Sequence, residues 1–204
     1  MYQIIIADDH PLFRRALTEA LAETNVPHFV TECETFEETF DAVGRLNPDL
    51  LLLDLKMPDQ GGLFGLMQIR AEFPQVAVAV VSASEDTHII HTVQQSGALG
   101  FIPKSSKIDA LVNALKTVLD GNLSFPDHAD TGDSEMARKL ASLTPQQLRV
   151  LQLIADGALN KQIGYTLDIK ETTVKSHISD IFRKLDIYNR TQAALLVQQL
   201  DIPD

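Results

Sequence analysis

The sequence predicts two units: an α/β domain with a parallel sheet over residues 1–120, and a small all-helical domain over 143–204. Three observations carry this. Short apolar runs alternate with amphipathic stretches as far as residue 120 and then cease. Leu50-Leu51-Leu52-Leu53 reads as a strand buried on both faces, the signature of a covered parallel sheet. From Leu143 onward the apolar period is helical only.

Taken in order, strands are expected at about 2–7, 28–33, 49–54, 76–82 and 99–102. Helical periods fill 11–23, 35–46, 62–73, 86–96 and 106–119, and Pro48, Pro58, Pro74 and glycines at 61, 62, 97 and 100 punctuate them. Residues 121–142 lose the apolar period and carry Asp127, Asp130, Thr131, Gly132, Asp133 and Ser134. They read as a linker with a typical span of roughly 25 Å, although Met136 to Leu140 can also extend the next helix. Leu143-Thr144-Pro145 then starts a helix, with Thr144 as N-cap and proline at the first helical position. Gly157 stops it. Short helices are expected at 160–167 and 171–185, and a last one after Thr191. A tight turn between the second and third matches a helix-turn-helix unit.

Bulk properties narrow the classes. No apolar stretch approaches the ~20 residues of a membrane span, and no signal peptide precedes the first strand. Cys33 is the only cysteine, which rules out an internal disulfide and suits a reducing cytoplasm. The net charge of −11 argues against nucleic-acid binding until it is divided along the chain. Residues 1–124 hold 8 Lys+Arg against 17 Asp+Glu, whereas 140–204 hold 7 of each. Within 160–190 there are 6 basic and 4 acidic residues, a weak footprint for DNA that pairing of two copies would have to reinforce.

The chemistry gathers at strand ends. Asp54 closes the leucine run, and Asp8 and Asp9 close Ile4-Ile5-Ile6-Ala7. If those strands are neighbours, the carboxylates converge, and two charges about 4 Å apart repel by roughly 4 kcal/mol at an effective dielectric near 20. A cation is therefore expected, most naturally Mg²⁺, which prefers carboxylate oxygens. Ser82 ends the run from Val76, and Lys104 follows Leu99-Gly100-Phe101-Ile102-Pro103. A hydroxyl and an ammonium facing an aspartate would stabilise a phosphoryl group on it.

Asp8-Asp9, Asp54, Ser82 and Lys104 resemble the receiver domain of bacterial two-component response regulators. The resemblance implies a flavodoxin-like five-stranded parallel sheet of order 2-1-3-4-5, with Asp54 as phosphoacceptor. Asp9, Asp54 and the backbone carbonyl of Lys56 would then bind Mg²⁺, with Asp8 acting through water or as a second ligand. Ser82 and Lys104 would hold phosphoryl oxygens. Phe101 matches an aromatic that turns inward after phosphorylation; without the resemblance it is ordinary core. His10 is assigned no chemistry.

On the third helix of the second unit, Val174, Ile178, Ile181, Phe182 and Leu185 share one stripe. Opposite lie Thr172, Ser176, Ser179 and Arg183, with Lys175 on one flank and Thr173, His177 and Lys184 on the other. The face suits base edges and phosphates, or simply solvent. Leu143-Thr144-Pro145, Asn160-Lys161-Gln162-Ile163, Thr173-Val174-Lys175-Ser176-His177 and Lys184-Leu185 are similar to the LuxR-type DNA-binding domain. The whole chain thus resembles a NarL/FixJ-type response regulator. That implies a sensor histidine kinase as partner, promoter DNA as ligand, a homodimer, and no dedicated enzymatic role. Lys175, Ser176 and Ser179 would face bases, and Lys161, Thr173 and His177 the backbone. Gly164 replaces a usual alanine and Lys170 a usual capping serine, both expected to weaken helices.

Two other readings remain open. A regulator could bind DNA without phosphorylation. A phosphotransferase of the haloacid dehalogenase type usually needs an aspartate two residues after the nucleophile, where this chain has Lys56.

Overall fold

The computed structural model describes residues 1–57, 59, 62–126 and 135–200, except the side chains of 137, 199 and 200. The expected punctuation at Pro58 and Gly61, and the polar run from Asp127 to Ser134, lie outside the described residues. Five parallel strands, β1 (Tyr2–Ala7), β2 (His28–Cys33), β3 (Leu50–Asp54), β4 (Ala77–Ser82) and β5 (Gly100–Pro103), form one sheet in the order β2-β1-β3-β4-β5. Helices α1 (Pro11–Glu23), α2 (Phe36–Leu46), α3 (Gly62–Glu72), α4 (Thr87–Gln95) and α5 (Ile108–Leu119) cover both faces.

Alternation along each strand divides the core. Ile4, Ile6, Leu50, Leu52, Ala79, Val81 and Ile102 pack on Leu17 and Leu21 of α1 and on Leu111, Leu115 and Val118 of α5. Ile5, Leu51, Leu53, Val78, Val80 and Phe101 meet the α2–α4 side. The register pairs Ala7 with Leu53 and Asp54 with Val81, so the carboxylates emerge together at the C-terminal edge. Open parallel sheets place their ligand sites at that edge.

The 121–142 segment is not a plain linker, which corrects the sequence expectation at both ends. The Ser124 N–H donates to the Leu99 carbonyl at 2.9 Å, and Phe101 N–H to the Ser124 carbonyl at 2.8 Å, so the chain after α5 is annexed by β5. Residues Glu135–Ala141 form a helix of their own, α6, rather than extending the next one. The cause is burial: Leu140 is fully buried and Met136 packs on the core. Pro145 cannot donate to the preceding turn, so a new helix starts there.

Four further helices, α7 (Pro145–Ala155), α8 (Asn160–Thr166), α9 (Glu171–Leu185) and α10 (Arg190–Leu200), complete the second unit. Thr144 Oγ1 accepts from Gln147 N–H while Gln147 Oε1 accepts from Thr144 N–H, a reciprocal cap for α7. Gly164 of α8 has a steric role that propensity conceals. A Cβ there would lie 2.8 Å from the Ile169 carbonyl, where the turn into α9 closes. As expected, Lys170 gives α9 no side-chain cap.

The two units share one core. Every residue of α3 from Gly62 to Met67 is buried, as is Ile69. A helix apolar on all sides needs cover on all sides; α3 lies on the sheet with one side and against α6, α7 and α10 with the other. At the seam Arg149 Nη2 approaches Glu72 Oε1 at 3.6 Å, and its guanidinium stands 5.8 Å from the Phe40 ring centroid. Val197 is buried and Leu195 is 53% exposed, so only part of the apolar excess of α10 is free for a second copy.

Candidate functional site

Asp54 leaves the last residue of β3 with its carboxylate fully buried. Oδ2 accepts from Lys104 Nζ at 2.8 Å and Oδ1 from the Lys56 N–H at 3.0 Å. Burial pushes the Asp54 carboxyl up from its ordinary range, and the bonds to Lys104 and Lys56 only partly counter it. Asp8 is also buried; its Oδ2 lies 2.7 Å from Lys104 Nζ and its Oδ1 accepts the His10 N–H at 2.8 Å. The ammonium thus bridges two aspartates that sequence alone placed on separate strands. Lys104 is itself held by the strand ladder, its N–H donating to the Ser82 carbonyl at 2.7 Å, and its Nζ sits 4.9 Å from the Phe13 ring centroid.

Asp9 is half-buried, with Oδ1 at 2.6 Å from His10 Nδ1. Donor atoms of Asp8, Asp9, His10 and Asp54 all lie within 4.8 Å of one another. Asp8 Oδ2 and Asp9 Oδ1 are buried yet accept no well-aligned hydrogen bond, facing Lys104 and His10 by distance alone. Such underused carboxylate oxygens fit a hard divalent cation. Asp9, His10, Phe13, Lys56, Ala83 and Lys104 line an open cavity of about 770 Å³ over Asp54.

Ser82 is completely buried, its Oγ accepting the Ser84 N–H at 3.2 Å. Phe101 is buried, its ring inside the core between the sheet and α2–α4.

Three contacts escaped the sequence. Asp59 accepts the Phe36 and Glu37 N–H groups at 2.7 and 2.9 Å, capping α2 from the loop after Asp54. Arg149 carries the seam. Arg14 is buried beside the site and binds the Asp8 carbonyl. Its signal was present, since Arg14 precedes Leu17 and Leu21 at helical spacing and so falls on the buried stripe of α1.

On α9, Thr172, Thr173, Lys175, Ser176, Ser179 and Arg183 are exposed, and His177 is half-buried. Lys161 is exposed on α8. Lys175 pairs with Glu171 at 3.1 Å and Arg183 with Asp180 at 2.6 Å, both within the helix. Ser179 Oγ donates to the Lys175 carbonyl at 3.1 Å. Lys184 departs from this set: Nζ donates to the Ser142 carbonyl at 2.7 Å and to Gln147 Oε1 at 2.8 Å. It ties α9 to the start of α7, so we remove it from the DNA-facing residues.

A buried aspartate at a strand end, bridged to a second by lysine and opening on an acidic pocket, defines a receiver; a helix-turn-helix unit follows it. Residues 4–116 match the response regulator receiver domain, and residues 141–197 the bacterial regulatory proteins of the luxR family. The chain is 39% identical to a glycerol metabolism activator of Pseudomonas putida over 98% of its own length and 97% of the relative's. It is 31% identical to the nitrate/nitrite response regulator protein NarL of Escherichia coli K12, over 96% and 94%. Its fold matches the structure of two RcsB dimers bound to two parallel DNAs with a TM-score of 0.59 and 25% identity, over 98% of each chain. The chain belongs to the NarL/FixJ-type response regulators and is a DNA-binding regulator of a two-component system. Among the described residues no helix is long and apolar enough to cross a membrane.

Proposed function

We propose that Asp54 is the phosphoacceptor of a switch that controls DNA binding through pairing of two copies. The buried Asp54 carboxylate, held by Lys104 and facing the open pocket, carries this reading. A carboxylate oxygen of Asp54 attacks the phosphorus of a phosphohistidine on a sensor kinase; the P–O bond forms, the P–N bond breaks, and the imidazole leaves. Lys104 follows the charge from the carboxylate to a phosphoryl oxygen, and the Ser82 hydroxyl donates to another. Mg²⁺ held by Asp9, Asp54 and the Lys56 carbonyl, with Asp8 in support, would neutralise charge on the transferred group. The chain is a phosphoacceptor that promotes its own transfer and hydrolysis, not a dedicated enzyme, and acts in the cytoplasm.

Phosphorylation favours a homodimer, which brings two α9 helices to successive major-groove segments of promoter DNA. The DNA-bound RcsB dimers support that arrangement. The test is incubation with acetyl phosphate and Mg²⁺, read by intact mass. One hydroxylamine-labile phosphoryl group is expected on the wild type and none on Asp54→Ala. Phosphorylation of Asp54→Ala, or dimers that ignore beryllofluoride, would sink the proposal.

A further inference from the structure

Arg14 is buried on α1, one turn away from the acidic pair, and its three nitrogen donors are all engaged. Nη1 donates to the Asp8 carbonyl at 2.8 Å, Nε to Glu32 Oε2 at 2.9 Å and Nη2 to Glu34 Oε1 at 2.5 Å. Glu32 and Glu34 flank Cys33 at the end of β2, and the Cys33 carbonyl accepts the Asp8 N–H at 3.1 Å. Asp8 is therefore gripped on both sides, its N–H by β2 and its carbonyl by Arg14. That carbonyl belongs to the peptide leading into Asp9, the half-buried carboxylate of the pocket.

We infer that Arg14 is a positioning residue for the metal end of the site: by clamping the Asp8–Asp9 peptide it fixes where Asp9 presents its carboxylate. The inference rests on the reading of the pocket as a Mg²⁺ site. A planar guanidinium is the side chain that can hold three acceptors in fixed directions, and an ammonium cannot reproduce the fork. Outer contacts of this kind commonly govern metal affinity by ten- to a hundredfold, by holding the ligands rather than touching the ion.

Charge and geometry predict opposite signs here. Arg14 is a cation close to a cation site, so a purely electrostatic role means that removing it tightens Mg²⁺ binding. A clamp means that removing it loosens the site. A merely structural role lowers the melting temperature and leaves the affinity of the folded protein alone.

The experiment titrates full-length wild type, Arg14→Met, Arg14→Lys and the double variant Glu32→Gln/Glu34→Gln with Mg²⁺ by calorimetry. Measurements are made well below each melting temperature. Arg14→Met and Arg14→Lys are expected to bind Mg²⁺ about tenfold or more weakly than wild type. The double variant keeps amide acceptors for the fork and should stay within a few-fold. Acetyl phosphate labelling of Arg14→Lys should be slow at low Mg²⁺ and recover as Mg²⁺ is raised, a shift in KM rather than in kcat. Arg14→Lys preserves the charge and carries the test alone should Arg14→Met not fold. Binding by either variant as tight as wild type or tighter overturns the clamp. Failure of the wild type itself to bind Mg²⁺ at millimolar concentration overturns the site reading and the clamp with it, and is seen before any variant is compared.

Discussion

Burial raises the Asp54 carboxyl above its ordinary value, and the pH dependence that follows has a definite sign. The group therefore supports folding only while protonated; that support is full below the ordinary carboxylate range near 4 and is lost as pH rises through the raised value. At neutral pH the buried charge opposes folding. Asp54→Asn leaves Lys104 its ion pair with Asp8 and should melt higher than wild type without Mg²⁺, by about 2 °C or more. The gap should close as pH falls below about 4. Equal melting temperatures at pH 7 would show that the charge is compensated by groups other than those named. On the DNA side, the lysines separate by role. Lys175→Ala is expected to cost about 1–3 kcal/mol on a cognate duplex and less on a scrambled one. Lys161→Ala should weaken both alike and reduce the salt slope by about one per site. Lys184→Ala should leave DNA affinity nearly unchanged and instead lower stability by about 1 kcal/mol, through loss of its bonds to Ser142 and Gln147. Competition binding at three salt concentrations, with urea melts alongside, distinguishes the three.

At the scale of elements, the two departures from family habit have different physics. Lys170 leaves the first turn of α9 uncapped, so Lys170→Ser should add about 1 kcal/mol. Gly164→Ala gains up to about 1 kcal/mol in helix propensity but drives a methyl to 2.8 Å from the Ile169 carbonyl. We expect a net loss of about 1–3 kcal/mol, measured by urea unfolding; a gain would show that the turn relaxes freely. Local signals made most elements legible. The leucine run, the Thr144-Pro145 start and the stripe from Val174 to Leu185 each appear within a few residues of where they were expected. What stayed hidden depended on partners distant in sequence. Ser124 is an isolated polar residue until it meets Leu99 and Phe101, and Met136 and Leu140 are two apolar positions in a charged stretch until the core takes them in. The convergence of Asp8, Asp54 and Lys104 was expected from strand ends once the resemblance supplied the strand order. The burial of Arg14 could be read from its place on the Leu17–Leu21 stripe, but its engagement with Glu32 and Glu34 depends on β2, distant in sequence.

For the whole molecule, the docked arrangement leaves the outer face of α9 open while occupying α3, α6, α7 and part of α10. Arg149 is the one described charge that reaches both Glu72 and the Phe40 ring across the seam. Arg149→Ala should loosen the seam with little change in DNA contacts, seen as a larger radius in small-angle scattering and faster hydrogen exchange on α3 and α7. An unchanged radius and exchange would mean that apolar packing alone holds the units together. The two-sided burial of α3 also bears on dissection of the protein. Ending the chain near residue 126 would strip cover from Met67, Ala71 and the Phe40 ring, all apolar and contiguous with the core. Such a fragment would carry a sticky stripe into solvent. Its natural response is to self-associate through α3, so pairing measured on a severed receiver would report the cut rather than the switch.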